Sequence, residues 1–245
     1  MNVMTDLNAM KERTAIKAVE TMVKSNMKLG LGTGTTAIFA VRHIGALIQK
    51  GALKNILAVP TSFQTVIECE RLGIPLCSLN SREIGGNLDL TIDGADEVDP
   101  LKRLVKGGGG ALLLEKIAAY SSSSYVIVVD ESKLVDNLGM KFSVPVEVVP
   151  EARVTVYAAL KKLGAEVTLR EALGKAGPVI TDNGNLLLDI RFREPVDPVF
   201  METRLNRIPG VIENGFFTGP ADRSLVPEVF TGFSDGRVDR LTVSA

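Results

Sequence analysis

Apolar and polar positions follow two rhythms along this chain. Leu7, Met10, Ile16, Val19, Met22 and Val23 recur at helical spacing and predict a helix over residues 6–25. Lys28 to Gly32 reads as a short strand leading into Gly32-Thr33-Gly34-Thr35-Thr36-Ala37, with a helix from there to about Lys50. Further strands are expected at Asn55 to Val59, Pro75 to Leu79, Leu88 to Asp93 and Tyr125 to Asp130. Helices are expected over Ser62 to Leu72 and from the glycine run Gly107–Gly110 through about Tyr120. Such alternation predicts a parallel sheet with helices on both faces. Ligands of such sheets gather beyond the carboxyl ends of the strands, where the Gly32 loop, Asp93 and Asp130 all fall.

The rhythm changes after Val144. Pro145 to Val149 reads as a strand, Glu151 to Leu163 as a helix and Glu166 to Arg170 as a strand. Val179-Ile180-Thr181 and Leu186 to Ile190 flank Asp182-Asn183-Gly184-Asn185, whose Asn183-Gly184 pair is a strong hairpin signal. A helix over Val199 to Asn206 and a strand around Val211 complete the order βαβββαβ. Strands at Glu228 to Phe233 and Arg237 to Val243 are expected to return to the first domain. The predicted fold class is therefore α/β. It has a Rossmann-like parallel-sheet domain, residues 1–143 plus 215–245, and a smaller α+β (ferredoxin-like) lid domain over residues 144–214. There is no internal repeat, low-complexity tract or flexible linker.

Composition narrows the partners. At 245 residues the chain can bury a substantial core. Its 28 basic and 29 acidic residues leave a formal net charge of -1, no field to draw nucleic acid or an anionic membrane. Aromatics are 5% with no tryptophan, which argues against a base-stacking platform. No apolar run reaches the roughly 18 residues a membrane span needs. The segment Met1 to Met22 lacks the continuous apolar core of a signal peptide. Cys69, on an expected helix, and Cys77, in an expected strand, read as buried thiols in a reducing compartment rather than as a disulfide. With one histidine and these two cysteines, no metal-ligand cluster is expected. His43 reads as a packed or helix-surface residue.

Gly32-x-Gly34-x-x-Ala37 has the form of a dinucleotide fingerprint. The acidic residue that fingerprint wants is absent, because the second strand ends Val59-Pro60-Thr61-Ser62 with no acid until Glu68. Hydroxyls of Thr33, Thr35 and Thr36 beside a helix N-terminus instead suit a phosphate or polyol. A tight strand–helix turn without a ligand is the other reading of this loop.

Residues 93–115 carry the densest chemistry. Asp93-Gly94-Ala95-Asp96-Glu97 follows an apolar strand, Lys106 immediately precedes Gly107-Gly108-Gly109-Gly110, and Glu115 falls on the next helix among Leu112, Leu113 and Leu114. Aspartates at a turn can be simple caps, and a lysine or a helical glutamate can be solvated. Together they supply a base, a cation and bare N–H groups, which suit proton abstraction next to a carbonyl. The helix dipole would favour the Glu115 carboxylate and burial its neutral acid, and a base working near neutral pH needs burial to win. Lys133, after the fifth strand, reaches the same sheet edge.

With these residues laid out, the chain resembles the ribose-5-phosphate isomerase A family over nearly its whole length. The motifs are Gly32-Thr33-Gly34-Thr35-Thr36, Asp93-Gly94-Ala95-Asp96-Glu97, Lys106 through Gly109, Glu115-Lys116, Ser132-Lys133, Pro145-Val146-Glu147-Val148 and Thr181-Asp182-Asn183-Gly184-Asn185. The resemblance implies interconversion of D-ribose 5-phosphate and D-ribulose 5-phosphate in the non-oxidative pentose phosphate pathway, with no metal and no organic cofactor. It implies Glu115 as proton-transfer base and Lys106 as the group that steadies the charged oxygen. Asp93 and Asp96 would bind hydroxyls and assist ring opening. Thr33, Gly34, Thr35, Thr36, Gly94, Ala95, Gly107, Gly108, Gly109 and Lys133 would complete the substrate-binding set. The only partner implied is the small-molecule sugar phosphate, with no nucleic acid and no membrane, in a cytoplasmic homodimer or homotetramer.

Three departures from the family pattern stand out. Leu114 replaces a residue often polar or basic, and Glu12 stands where some members place a phosphate-binding lysine, with Lys11 and Arg13 as its neighbours. The segment Thr218 to Pro227 also differs from the usual tail. A non-catalytic sugar-phosphate sensor, an amino-sugar phosphate deaminase or an acyl-CoA transferase would use a similar scaffold. The absent helix-turn-helix extension weighs against the first, and the Lys106-to-Glu115 spacing against the other two.

Overall fold

The computed structural model describes residues 3–242. Val243, the expected last residue of the final strand, lies outside the described residues, as do Met1, Asn2, Ser244 and Ala245 of the expected first domain. Helix α1 (Val3–Met22) leads to strand β1 (Lys28–Leu31), α2 (Ala37–Gln49), β2 (Leu57–Pro60), α3 (Phe63–Leu72) and β3 (Leu88–Asp93). Two short strands, β4 (Glu97–Val98) and β5 (Leu104–Val105), precede α4 (Leu112–Tyr120) and β6 (Ser122–Asp130), which ends in a 3₁₀ turn at Glu131–Lys133. Then come β7 (Val144–Val148), α5 (Arg153–Lys162), β8 (Glu166–Leu169), β9 (Leu186–Arg191), α6 (Pro198–Asn206) and β10 (Val211–Asn214). β11 (Phe216–Phe217), β12 (Glu228–Gly232) and β13 (Val238–Arg240) close the described chain.

The chain forms two compact units. The first comprises Met1–Ala95, Leu114–Lys133 and Gly219–Ala245; the second comprises Asp96–Leu113 and Leu134–Thr218. These bounds differ from the expected 1–143 plus 215–245 and 144–214. The second unit also takes in Asp96–Leu113, because β4, β5 and β11 make a small antiparallel sheet. Strands of two residues carry no readable alternation, so the sequence does not announce them.

The first unit is a six-stranded sheet in the order β13-β12-β6-β3-β1-β2, parallel except for β13. One face is packed by α1 and α2 around Leu29, Leu31, Leu90, Ile92, Val126, Val128 and Phe230. Burying each such side chain contributes about 1.5–3 kcal/mol. Thr91 and Tyr125, which pair in register, alternate to the opposite face, where the Thr91 hydroxyl donates to Ala118 O on α4 at 3.1 Å. On α1, Met10, Ala15, Ala18 and Val19 are buried, as is Val23 just after it, while Ile16 is only half-buried. Alanines carry much of that stripe.

Two expected strands shrink to single bridges. Pro75 to Leu79 pairs only at Ala58↔Leu76, with Ala58 N–H on Pro75 O at 2.9 Å and Cys77 N–H on Ala58 O at 2.8 Å. Proline has no donor to continue a ladder, so this segment stays a vestigial edge. Cys77 therefore lies outside any strand, and it is half-buried rather than buried. Likewise Val179-Ile180-Thr181 makes one bridge, Ile180↔Leu186, around the Gly184 turn. The second unit thus reads βαββαβ over β7–β10, not βαβββαβ, and its four-stranded antiparallel sheet has the order β10-β7-β9-β8. That is the split-βαβ, ferredoxin-like arrangement. Its own core includes Val146, Val148, Val156, Leu160, Leu188, Ile190 and Leu205.

Candidate active site

In the first unit, β1 connects to β2 on one side, whereas β3, β6 and β12 add outward on the other. The order reverses between β1 and β3, and the loops beyond their carboxyl ends flank the place where such sheets bind ligands. The Gly32 loop and Asp93 are those loops. Gly32 N–H donates to Ile92 O at 2.9 Å, and a Cβ on Gly32 would lie 2.1 Å from the Asp93 carboxyl carbon, so any side chain there would displace Asp93. Buried Asp93 accepts Thr33 N–H at 3.1 Å and Gly94 N–H at 2.7 Å on Oδ1.

The Thr33 hydroxyl points into the protein. It bonds Thr61 Oγ1 at 2.8 Å and Ser62 Oγ at 2.7 Å, while Thr65 Oγ1 donates to Gly32 O at 2.8 Å. This hub ties the loop to the start of α3, where Ser62 is the N-cap and accepts Thr65 N–H at 3.3 Å. Thr61, Ser62 and Thr65 were not among the expected site residues; two hydroxyls at the end of the second strand were the signal. Gly34 N–H donates to Gln64 Oε1 at 3.0 Å, and Lys11 Nζ donates to Thr35 Oγ1 at 2.9 Å. Thr36 sits at the N-cap of α2 with no side-chain capping bond among the described residues.

Glu115, in the first turn of α4, is 4% exposed. Tyr125 on β6 brings it into one environment with Asp93. The Tyr125 hydroxyl is buried, has no hydrogen-bond partner among the described residues, and is pushed well above its ordinary pKa. Burial is the main cause, followed by the charges of Asp93 and Glu115 and by Tyr120. Two carboxylates thus act electrostatically on one neutral phenol that the sequence reading did not single out. Ala95 is half-buried like Gly94, and Lys133 lies half-buried in the turn after β6.

The other expected residues, Asp96 and Lys106 through Gly109, belong to the second unit. Asp96 Oδ2 accepts Gly108 N–H at 2.7 Å. Lys106 is 2% exposed; its N–H donates to Gly215 O at 2.9 Å, and its ammonium lies 5.6 Å from the centroid of the Phe217 ring. Gly107 has φ +98° and a Cβ there would meet Leu112 Cβ at 2.8 Å, so a side chain would strain the backbone and push Leu112 aside. Two motifs turn out to be one clamp: buried Glu147 of Pro145-Val146-Glu147-Val148 accepts the Thr181 hydroxyl at 2.9 Å and the Asn185 amide at 2.8 Å. They build the fold rather than the site.

Elsewhere, His43 Nε2 lies 3.5 Å from Glu20 across α1 and α2, and both cysteines are free thiols. Among the described residues there is no group of three or more His, Cys, Asp or Glu able to hold a metal. Among them, too, no helix is long and apolar enough to cross a membrane.

A doubly wound sheet with a hydroxyl-rich loop and buried carboxylates at its switch point, in a chain with a ferredoxin-like unit, defines an α/β protein equipped for a small anionic polyol. The family model of ribose 5-phosphate isomerase A (phosphoriboisomerase A) matches residues 57–229, and the chain belongs to that family. Ribose-5-phosphate isomerase A of Treponema denticola is 51% identical over 243 residues, covering 96% of this chain and 100% of its own. That of Gloeothece citriformis is 46% identical, covering 95% and 97%. The structure of ribose 5-phosphate isomerase A from Methanocaldococcus jannaschii is 41% identical with a TM-score of 0.87 over 95% of this chain and 98% of that one. A D-ribose-5-phosphate isomerase in complex with phospho-erythronic acid is 39% identical with a TM-score of 0.87, covering 98% and 99%.

Proposed function

We propose that this chain is an aldose–ketose isomerase that interconverts D-ribose 5-phosphate and D-ribulose 5-phosphate, in the non-oxidative pentose phosphate pathway. Family membership supports the reaction, and the observation that carries the mechanism is the burial of Glu115, whose charge reaches the same Tyr125 hydroxyl as that of Asp93, in a helix that could have left it solvated. Glu115 removes the C2 proton of the open-chain aldose. The electron pair forms the C1–C2 double bond, and charge moves to O1. Returning the proton to C1 while the hydroxyl proton passes from O2 to O1 leaves the carbonyl at C2. Lys106 steadies the charged oxygen of the enediolate, since its ammonium already sits in a water-poor setting. Asp93 and Asp96 bind hydroxyls and assist ring opening. The phosphate takes the N–H groups at the start of α2, the hydroxyls of Thr35 and Thr36, and Lys11, whose ammonium already reaches that loop. Lys11 thus fills the role for which Glu12 is unsuited. Lys133 contacts the sugar phosphate from the end of β6. A planar carboxylate on a sugar phosphate, as in the phospho-erythronic acid of the structural relative, matches the planar enediolate this route requires.

The same reading makes the protein a cytoplasmic homodimer or homotetramer. It is supported by the free thiols and by exposed apolar residues such as Phe63 and Ile67 on α3 and Val199 and Phe200 on α6. The deciding experiment is a coupled isomerisation assay on wild type and Glu115→Gln. The variant should lose about 10²- to 10⁴-fold in kcat while still binding ribose 5-phosphate by calorimetry. A Glu115→Gln variant with undiminished turnover would falsify this mechanism.

A further inference from the structure

In the second unit, a guanidinium grips the glycine loop by its carbonyls. Arg170 follows β8. Its Nε donates to Asp189 Oδ2 at 2.8 Å and its Nη2 to Asp189 Oδ1, while Nη1 donates to Gly107 O at 3.0 Å and to Gly108 O at 3.1 Å. Asp189 lies on β9, paired with Thr168 of β8 on one side and Pro145 of β7 on the other, so the sheet holds the carboxylate in place. The two side chains are 16% and 22% exposed, which shields the pair from water.

The C=O and N–H of a trans peptide point in opposite directions. Holding the Gly107 carbonyl toward Arg170 therefore sends the Gly108 N–H the other way, where it meets Asp96 Oδ2 at 2.7 Å. Holding the Gly108 carbonyl likewise turns the Gly109 N–H away from Arg170. Glycines have the widest choice of peptide orientations and no side chains to select one, so the selection must come from outside the loop.

We propose that Arg170, seated on Asp189, is a positioning residue: it orients the Gly107–Gly109 peptide planes so that Lys106, the Gly109 N–H and the Asp96 carboxylate held by the Gly108 N–H present one fixed array to the sugar phosphate. This rests on the isomerase reading above. A lysine could keep the charge pair with Asp189, but its ammonium lacks the planar fork that spans a carboxylate and two carbonyls.

The test is steady-state kinetics of Arg170→Lys, Arg170→Ala and Asp189→Asn at a temperature where circular dichroism shows each fully folded. Arg170→Lys should lose roughly 10- to 100-fold in kcat with a much smaller change in KM, the signature of a misaligned site. Asp189→Asn should move in the same direction by less. Added guanidinium ion should restore part of the kcat of Arg170→Ala, which a merely structural residue would not show. Folded Arg170 variants with wild-type kcat and KM overturn the proposal. So does an Arg170→Ala loss that only tracks the folded fraction and ignores guanidinium. Wild-type protein that fails to isomerise ribose 5-phosphate sinks the functional reading and this inference together, whereas an active wild type with indifferent Arg170 variants sinks this inference alone.

Discussion

Lys106 and Cys69 show how differently one protein interior treats two reactive side chains. The Lys106 ammonium is buried yet rests over the Phe217 ring, which keeps a cation in a place where its field is not diluted by water. Its substitution by alanine should lower kcat by about 10²- to 10³-fold and KM far less, as for a group matched to the transition state. A loss confined to KM would make it a ground-state ligand. Cys69, inside α3, has its thiol pushed from 9.0 up to about 12, chiefly by burial and then by the Glu68 charge. Ellman's reagent at pH 8 should therefore miss Cys69 in the folded protein. The sign for stability follows. The unfolded thiol ionises first as pH rises, so the Cys69 contribution is intact below about 9.0 and is lost progressively toward about 12. Denaturant titrations of wild type and Cys69→Ala should diverge in slope across that alkaline range; parallel curves would contradict the assignment.

At the scale of elements, the hydroxyl hub joining β1, β2 and α3 does two jobs at once. It caps a helix and holds the ligand loop, so damage to it should be felt in both stability and catalysis. Ser62→Ala removes the cap and one anchor of Thr33, and should cost about 1 kcal/mol. Calorimetry should then show Tm lower by roughly 2–4 °C. Gly32→Ala is harsher, because its methyl group would occupy the space of the Asp93 carboxyl. It should lose activity by a larger factor than Ser62→Ala even where it folds, and equal activities would mean the loop shifts without consequence. The helices and long strands were readable because their apolar spacing is regular. β6 begins at Ser122 rather than Tyr125 because pairing with Leu88 on β3 extends three serines that have little strand preference of their own.

At the scale of the molecule, two units carry separate cores, and the chain passes between them more than once. The donor chemistry among the described residues offers nothing for a divalent ion to bind as a cluster. The proposed mechanism calls on no metal, so isomerisation is expected to proceed at full rate in EDTA, and a chelator-sensitive rate restored by added metal would contradict that proposal. Light scattering on the purified protein tests the proposed homo-oligomer, with a monomeric mass the adverse result.

Local pattern was enough to single out the Gly32 loop, Asp93, the Lys106 glycine run and Glu115 as candidates, since each depends on residue type next to an element boundary. It also marked an α/β chain with a smaller α+β part. Only the folded chain could turn the Thr33 hydroxyl inward, bring Tyr125 under the charges of Asp93 and Glu115, and set Arg170 against the carbonyls of Gly107 and Gly108. It alone cut the expected strands at Pro75 and Val179 to single bridges and raised two-residue strands from a silent segment. The reason is distance along the chain. Periodicity and capping act over a few residues, whereas a guanidinium and the carbonyl it holds here are 63 positions apart, and nothing short of the packed structure relates them.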